Sequence, residues 1–179
     1  MKKIALATLA AALLCAATLP ALAGDALAPG TTAPTFTLPS QTNAPISLAQ
    51  YKGKWVVLYF YPKDMTSGCT LEAHNFQRDL AKFKAANAVV LGVSLDNAQS
   101  HQTFCTKESL TFKLLADPDH KVVDEYGVPV KSYGPIKIAM RETFLINPKG
   151  KIAKVWPDVD KDIKDHSTEV LAAIAADGK

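Results

Sequence analysis

The sequence predicts an α/β fold: a mixed central sheet flanked by helices, in three layers. Three observations carry this. The run "WVVLYFYP" (residues 55–62) is unbroken in β-branched and aromatic residues, which suits a strand covered on both faces. Strands and helices then alternate, and a hairpin and a last helix close the chain. With 179 residues, 48% hydrophobic and 21% charged, the chain has the composition of one globular domain large enough for a real core.

The N-terminus has a different character. Lys2 and Lys3 precede the apolar run "IALATLAAALLCAATL", and the small-residue "ALA" of residues 21–23 follows Pro20, the pattern of a secretory signal peptide cut after Ala23. The run is short of a bilayer span and ends in small residues, which argues against a retained anchor. Cys15 follows the bulky Leu14, where lipoprotein processing wants a small residue, and so belongs to the discarded leader. The expected boundaries are 1–23 for the leader and 24–179 for the domain, which would be periplasmic or secreted, with no stable membrane association after cleavage. Without Lys2 and Lys3 the formal charge falls from +3 to +1, which leaves no field to attract nucleic acid or acidic lipid.

Within the domain, "TFTLPS" (35–40) alternates like a short edge strand, and "ISLAQYKGK" (46–54) reads as a turn with a brief helical piece. After the strand at 55–62, "CTLEAHNFQRDLAKFKAAN" (69–87) is a helix with Leu71, Phe76, Leu80 and Phe83 near one face. "AVVLGVSL" (88–95) is a second buried strand. The polar "DNAQS" leads into a shorter helix over "HQTFCTKESL" (101–110), and "FKLLAD" (112–117) is a further strand. "HKVVDEYGV" (120–128) is a short helix closed by Gly127, and 140–156 is a hairpin about the "NPKG" turn. "VKSYGPIKIAM" (130–140) is a loop that could border a site. "DIKDHSTEVLAAIAA" (162–176) is an amphipathic helix.

Two cysteines remain in the domain, Cys69 and Cys105. In an oxidising compartment their plainest use is one structural disulfide. Cys69, however, lies where a strand has ended and a helix begins, and there unpaired N–H groups and the helix dipole favour a thiolate, a strong nucleophile. Pro62 fixes the chain leaving the strand, and Gly68 allows close backbone approach beside the sulfur. Thr66 offers a hydroxyl to an oxygen substrate. No spacing among His74, His101, His120 and His166 suggests a metal site, and no cofactor is expected.

The stretch "YPKDMTSGCTLEA" carries Pro-x-x-x-Thr-x-x-Cys as Pro62, Thr66 and Cys69, and resembles the peroxiredoxins, most closely the PrxQ, or bacterioferritin comigratory protein, subfamily. "FTLPSQTNAPISLAQYKGKWVVLYFYPKD", "LGVSLDNAQSHQTFCTKESLTFKLLADPD" and "RETFLINPKGKI" extend the resemblance over nearly all of the domain. It implies a thioredoxin-like fold and thiol-dependent reduction of hydrogen peroxide or organic hydroperoxides. Cys69 would be the peroxidatic cysteine, Thr66 a hydrogen-bond partner of the peroxide, Pro62 a shield of the pocket and Arg141 the active-site arginine. Of the two arginines, Arg78 also reads as part of a solvated helix face, whereas Arg141 begins an apolar strand. Glu72 is either a partner that orients Arg141 or a surface acid at a helix N-terminus.

Many relatives place a resolving cysteine five residues after the peroxidatic one, where this chain has His74. Either Cys105 resolves from the next helix, as in a branch of the subfamily with similar spacing, or the enzyme works with one cysteine. The implied partners are a hydroperoxide and a thioredoxin-like protein reductant, and the subfamily resemblance implies a monomer. Two other classes stand beside this reading: a secreted thioredoxin-fold binding module with a permanent disulfide, and a thiol-disulfide oxidoreductase, against which the missing CxxC counts.

Overall fold

Two short strands open the domain, β1 (Thr37–Pro39) and β2 (Pro45–Ser47), paired antiparallel, and a 3₁₀ turn follows at Leu48–Tyr51. The computed structural model describes residues 27–177; the leader, its cut after Ala23 and Cys15 lie outside the described residues. Next come β3 (Trp55–Phe60), α1 (Ser67–Ala85), β4 (Ala88–Ser94), α2 (Ala98–Glu108), β5 (Lys113–Ala116) and α3 (Lys121–Glu125). The chain continues through β6 (Val130–Tyr133), β7 (Ile136–Ala139), β8 (Glu142–Ile146), β9 (Ile152–Trp156) and α4 (His166–Asp177).

The main sheet has the order β5-β4-β3-β8-β9. β3 is parallel to β4 and antiparallel to β8, so it is central and mixed, as an all-apolar strand requires. Its side chains alternate between two cores. Trp55, Val57 and Tyr59 meet Phe76 and Phe83 of α1, Phe104 of α2 and Val170 of α4, while Val56, Leu58 and Phe60 meet Val122 and Val123 of α3 and Phe36 and Leu38 of the N-terminal segment. Each fully buried side chain of this size contributes about 1.5–3 kcal/mol. Gly92 of β4 is required by the first core: a Cβ there would lie 2.7 Å from the ring and hydroxyl of Tyr59.

Three expectations need correction. Leu71 is 43% exposed and is not on the inner face of α1. The buried series is Cys69, Ala73, Phe76, Leu80 and Phe83, and Leu71 lies well over a quarter-turn from its centre. α2 begins at Ala98, three residues earlier than the hydrophobic pattern suggests, because the Asn97 side chain accepts from the Ser100 N–H at 2.9 Å and caps it. Residues 130–140 form not a loop but the β6–β7 ribbon, turned at Gly134 with φ +60°. The β8–β9 hairpin is as expected, with the Asn147 side chain accepting from Lys149 and Lys151. Among the described residues no helix is long and apolar enough to cross a membrane.

At the start of α4, His166 is 1% exposed, and its Nε2 shares a 2.9 Å hydrogen bond with the Thr143 hydroxyl. Burial, reinforced by the Arg141 and Lys154 cations, pushes this imidazole down to about 4. The unfolded chain binds a proton near pH 6.5 that the folded chain refuses, so the His166 contribution, on the order of 3 kcal/mol, is fully present above pH 6.5 and lost as pH falls toward 4. Glu142, pushed up to about 7 by burial, acts in the opposite sense, its stability being lost as pH rises from about 4.3 to 7. In a histidine NMR titration His166 is expected to keep neutral-imidazole shifts down to about pH 4; a transition near 6.5 would refute this packing.

Candidate active site

β3 ends at Phe60, and Pro62, half-buried, carries the chain out of the sheet to the N-terminus of α1. Met65 has φ +58°, a left-handed conformation that costs about 1–3 kcal/mol outside glycine and asparagine and turns the chain sharply into the helix. Thr66 is the residue before the first turn, but its hydroxyl makes no capping bond; it donates to the Lys63 carbonyl at 2.9 Å. That leaves the exposed face of the oxygen as an acceptor and the first N–H groups of the helix without a side-chain partner. Cys69 sits in this first turn, 2% exposed, in the core with Tyr59 and Phe76.

The structure brings Arg141, Glu72 and Cys69 together from β8 and α1. Arg141 precedes β8 and is 4% exposed. Its three nitrogens go to three partners. Nη2 donates to Cys69 Sγ at 3.4 Å, Nε donates to Asp160 Oδ1 at 2.7 Å, and Nη1 donates to Glu72 Oε2. Of the two readings left open for Glu72, the structure shows the buried one, a carboxylate at 1% exposure paired with the guanidinium. Burial pushes Glu72 up to about 7 and Arg141 pulls against it. Burial also works to lower Arg141, but Glu72, Cys69 and Asp160 outweigh it and hold the guanidinium above its ordinary range, so it stays charged. Gly68 fits beside this group: a Cβ there would stand 3.3 Å from Nη2 and 3.7 Å from the Ile163 side chain.

Asp160 was not singled out from the sequence. It belongs to the polar connection between β9 and α4, which folds back over the site; Asn75 of α1 anchors it by donating to the Ile163 carbonyl at 2.9 Å. Arg78, by contrast, is 54% exposed in its side chain, away from the Cys69 group, and donates to the buried Asp79 and to Ser167 of α4.

Cys105 lies on α2, 6% exposed, in the same core as Cys69, and the two are not bonded to each other. Burial, with the Asp64 carboxylate adding to it and Lys113 opposing, pushes the Cys105 thiol up to about 11. In this conformation Cys105 is a protonated, unreactive thiol. His74, at the position of the resolving cysteine in many relatives, is half-exposed and binds Glu108 at 3.0 Å, linking α1 to α2 on the surface.

The site thus holds a cysteine at a helix N-terminus with a buried guanidinium on its sulfur. Residues 29–155 match the AhpC/TSA family. Peroxiredoxin Bcp of Bacillus subtilis is 42% identical over 132 residues, covering 72% of this chain and 83% of the relative. The crystal structure of a Xylella fastidiosa PrxQ mutant superposes with a TM-score of 0.80 at 34% identity, covering 87% of this chain and all of that one. Bacterioferritin comigratory protein of Xanthomonas campestris, described for its alkyl peroxide reduction activity, superposes at 0.74 with 33% identity, covering 80% and 92%. The expected thioredoxin-like fold is the one these structures share, and the chain belongs to the AhpC/TSA family, among its peroxiredoxins of the Bcp and Q type.

Proposed function

We propose that this peroxidase reduces hydroperoxides at Cys69 and closes its cycle through a Cys69–Cys105 disulfide. The observation that carries the reading is the Arg141 N–H on the Cys69 sulfur at the start of α1. The thiolate attacks the outer peroxide oxygen, an S–O bond forms, the O–O bond breaks, and the leaving oxygen departs with a proton as water or alcohol. Charge gathers on that oxygen in the transition state, where the Arg141 guanidinium and the free N–H groups of the first turn are the donors, while the Thr66 hydroxyl, whose hydrogen is on the Lys63 carbonyl, is an acceptor for the O–H of the peroxide. Pro62 shields the pocket. Arg141 also keeps its place because Glu72 and Asp160 occupy its other nitrogens.

The Cys69 sulfenic acid then condenses with the Cys105 thiol, forming S–S and releasing water, and an external dithiol, a thioredoxin-like protein, reduces the disulfide. Bonded cysteines need Cα atoms within about 7 Å, so the two helices must open locally. Two solved structures of Xanthomonas campestris peroxiredoxin Q carry cysteine-to-serine mutations at positions as far apart in sequence as Cys69 and Cys105, which supports the pairing. Alkyl hydroperoxides are proposed as substrates beside hydrogen peroxide on the likeness to the Xanthomonas protein. On the leader reading the enzyme would act in the periplasm or outside the cell, and the subfamily resemblance supports a monomer. Family membership disfavours the binding-module alternative.

Mass analysis after one equivalent of peroxide tests the cycle. Wild type is expected to lose two hydrogens as an internal disulfide, and Cys105→Ser to accumulate Cys69 sulfenic and then sulfinic acid, with dithiol-driven turnover reduced about tenfold or more. Full turnover of Cys105→Ser with a monothiol would replace this cycle by the one-cysteine mechanism, and no peroxide consumption by reduced wild type would overturn the whole reading.

A further inference from the structure

Asp64 is two residues beyond Pro62, in the loop that delivers Cys69, and its side chain is 1% exposed. It is the hub of a polar cluster outside the Arg141 group. Asp64 Oδ2 accepts from His101 Nδ1 at 2.8 Å and from the Ser100 hydroxyl at 2.7 Å, and Oδ1 accepts from the Tyr61 hydroxyl at 2.7 Å. Since a carboxylate only accepts, Nδ1 of His101 carries the hydrogen. The Asp64 backbone N–H in turn donates to Asp96 Oδ2 at 2.9 Å, so the loop before α1 is bound to the turn before α2 as well. Burial works to raise the Asp64 carboxyl, and the bonds from His101, Ser100 and Tyr61 outweigh it and hold it below its ordinary value.

His101 is fully buried on α2, four residues before Cys105, hence on the same helix face one turn away. Only Ala98, His101, Phe104 and Cys105 of this eleven-residue helix are buried, so the His101 and Ser100 bonds are a large share of what holds α2 down. The clasp is also incomplete. His101 Nε2 is buried with no hydrogen-bond partner among the described residues, a cost that is relieved when the helix lifts and water reaches the ring. Met65, in the left-handed region at φ +58°, immediately follows Asp64 in the loop that the cluster ties to α2.

We propose that the Asp64–His101–Ser100 cluster is a latch that sets how often α2 opens to release Cys105, and so divides oxidised Cys69 between disulfide formation and over-oxidation. His101 and Asp64 are positioning residues here, acting through α2 without touching peroxide. The inference rests on the reading of Cys105 as the resolving thiol. Closed, the latch keeps Cys105 buried and protonated. Opened, it presents Cys105 to the sulfenic acid, and the condensation releases water as before. Competing with that step, a second hydroperoxide takes the sulfenic acid to sulfinic acid, the hydroperoxide leaving as alcohol or water.

Rapid quenching with a thiol-blocking reagent, followed by mass analysis, separates Cys69 oxidation from disulfide formation in the full-length protein. His101→Leu is expected to oxidise Cys69 within about twofold of wild type and to form the disulfide about tenfold faster, the factor expected from one ordinary buried hydrogen bond. Its sulfinic fraction at a fixed peroxide excess falls in proportion. Ser100→Ala is expected to accelerate disulfide formation about threefold and carries the test if the leucine variant does not fold. Ile152→Val, a loss of packing in the opposite core, should leave the disulfide rate unchanged. Amide exchange over residues 102–108 should quicken in the latch variants alone. A disulfide rate in both latch variants equal to wild type, or an equal acceleration in Ile152→Val, overturns the latch. Failure of wild type to form the Cys69–Cys105 disulfide overturns the resolving-thiol reading, and the latch with it.

Discussion

Cys69→Ser is expected to lower peroxide turnover by at least about 10³-fold while shifting stability by no more than about 1–2 kcal/mol. The two halves of that expectation have separate physical sources. A serine hydroxyl fits the same space at the start of α1 and can accept from Arg141 Nη2 as the sulfur does, so the buried guanidinium keeps its third partner. An alcohol at that position is nevertheless not ionised near neutral pH, and the side chain bonded to the position among the described residues is Arg141, a donor that cannot take its proton. The serine therefore lacks the nucleophile that splits O–O, and the remaining donors stabilise a transition state that is not reached. Stopped-flow peroxide consumption, with thermal unfolding as the control, checks both halves. Residual turnover above a few per cent would mean that Cys105, despite burial, attacks peroxide directly.

What the sequence conveys about this site follows the range of the interactions involved. Elements governed by local periodicity are legible: the all-apolar run at 55–60 is the central strand, and the series Phe76, Leu80 and Phe83 lies inward. Leu71 misleads because an apolar residue in a helix's first turns need not share the angle of those that follow, and Cys69 and Ala73 occupy the inward positions instead. The placement of Cys69 at a helix start follows from Pro62, Gly68 and the pattern after them. That Glu72 turns to Arg141 could not be decided from spacing, since the two are 69 residues apart and meet only because β8 lies beside β3. The Arg141–Asp160 and Asp64–His101 bonds are invisible for the same reason: their partners stand 19 and 37 residues apart, and a polar residue looks merely solvated until tertiary structure pairs it.

Arg141→Lys is expected to slow Cys69 oxidation by about 10²–10³-fold, although it conserves the charge. The wild-type guanidinium satisfies Cys69, Glu72 and Asp160 through three different nitrogens in one plane, and a lysine has one nitrogen on a flexible stem. Glu72, buried and the most strongly coupled to that charge, would hold the ammonium, and the sulfur would lose its donor. Removing the charge altogether, as in Arg141→Met, would also strand Glu72 and cost about 3–5 kcal/mol, so lysine is the cleaner probe. Glu72→Gln separates orientation from charge: its amide oxygen still accepts from Nη1, and oxidation is expected to slow only about tenfold. Second-order rates of Cys69 oxidation in the three proteins rank these roles. If Arg141→Lys matches wild type within a factor of three, the charge alone suffices and the fork of donors has no part in the transition state. If Glu72→Gln is the slower of the two, the carboxylate acts on the reaction by more than holding Arg141 in place.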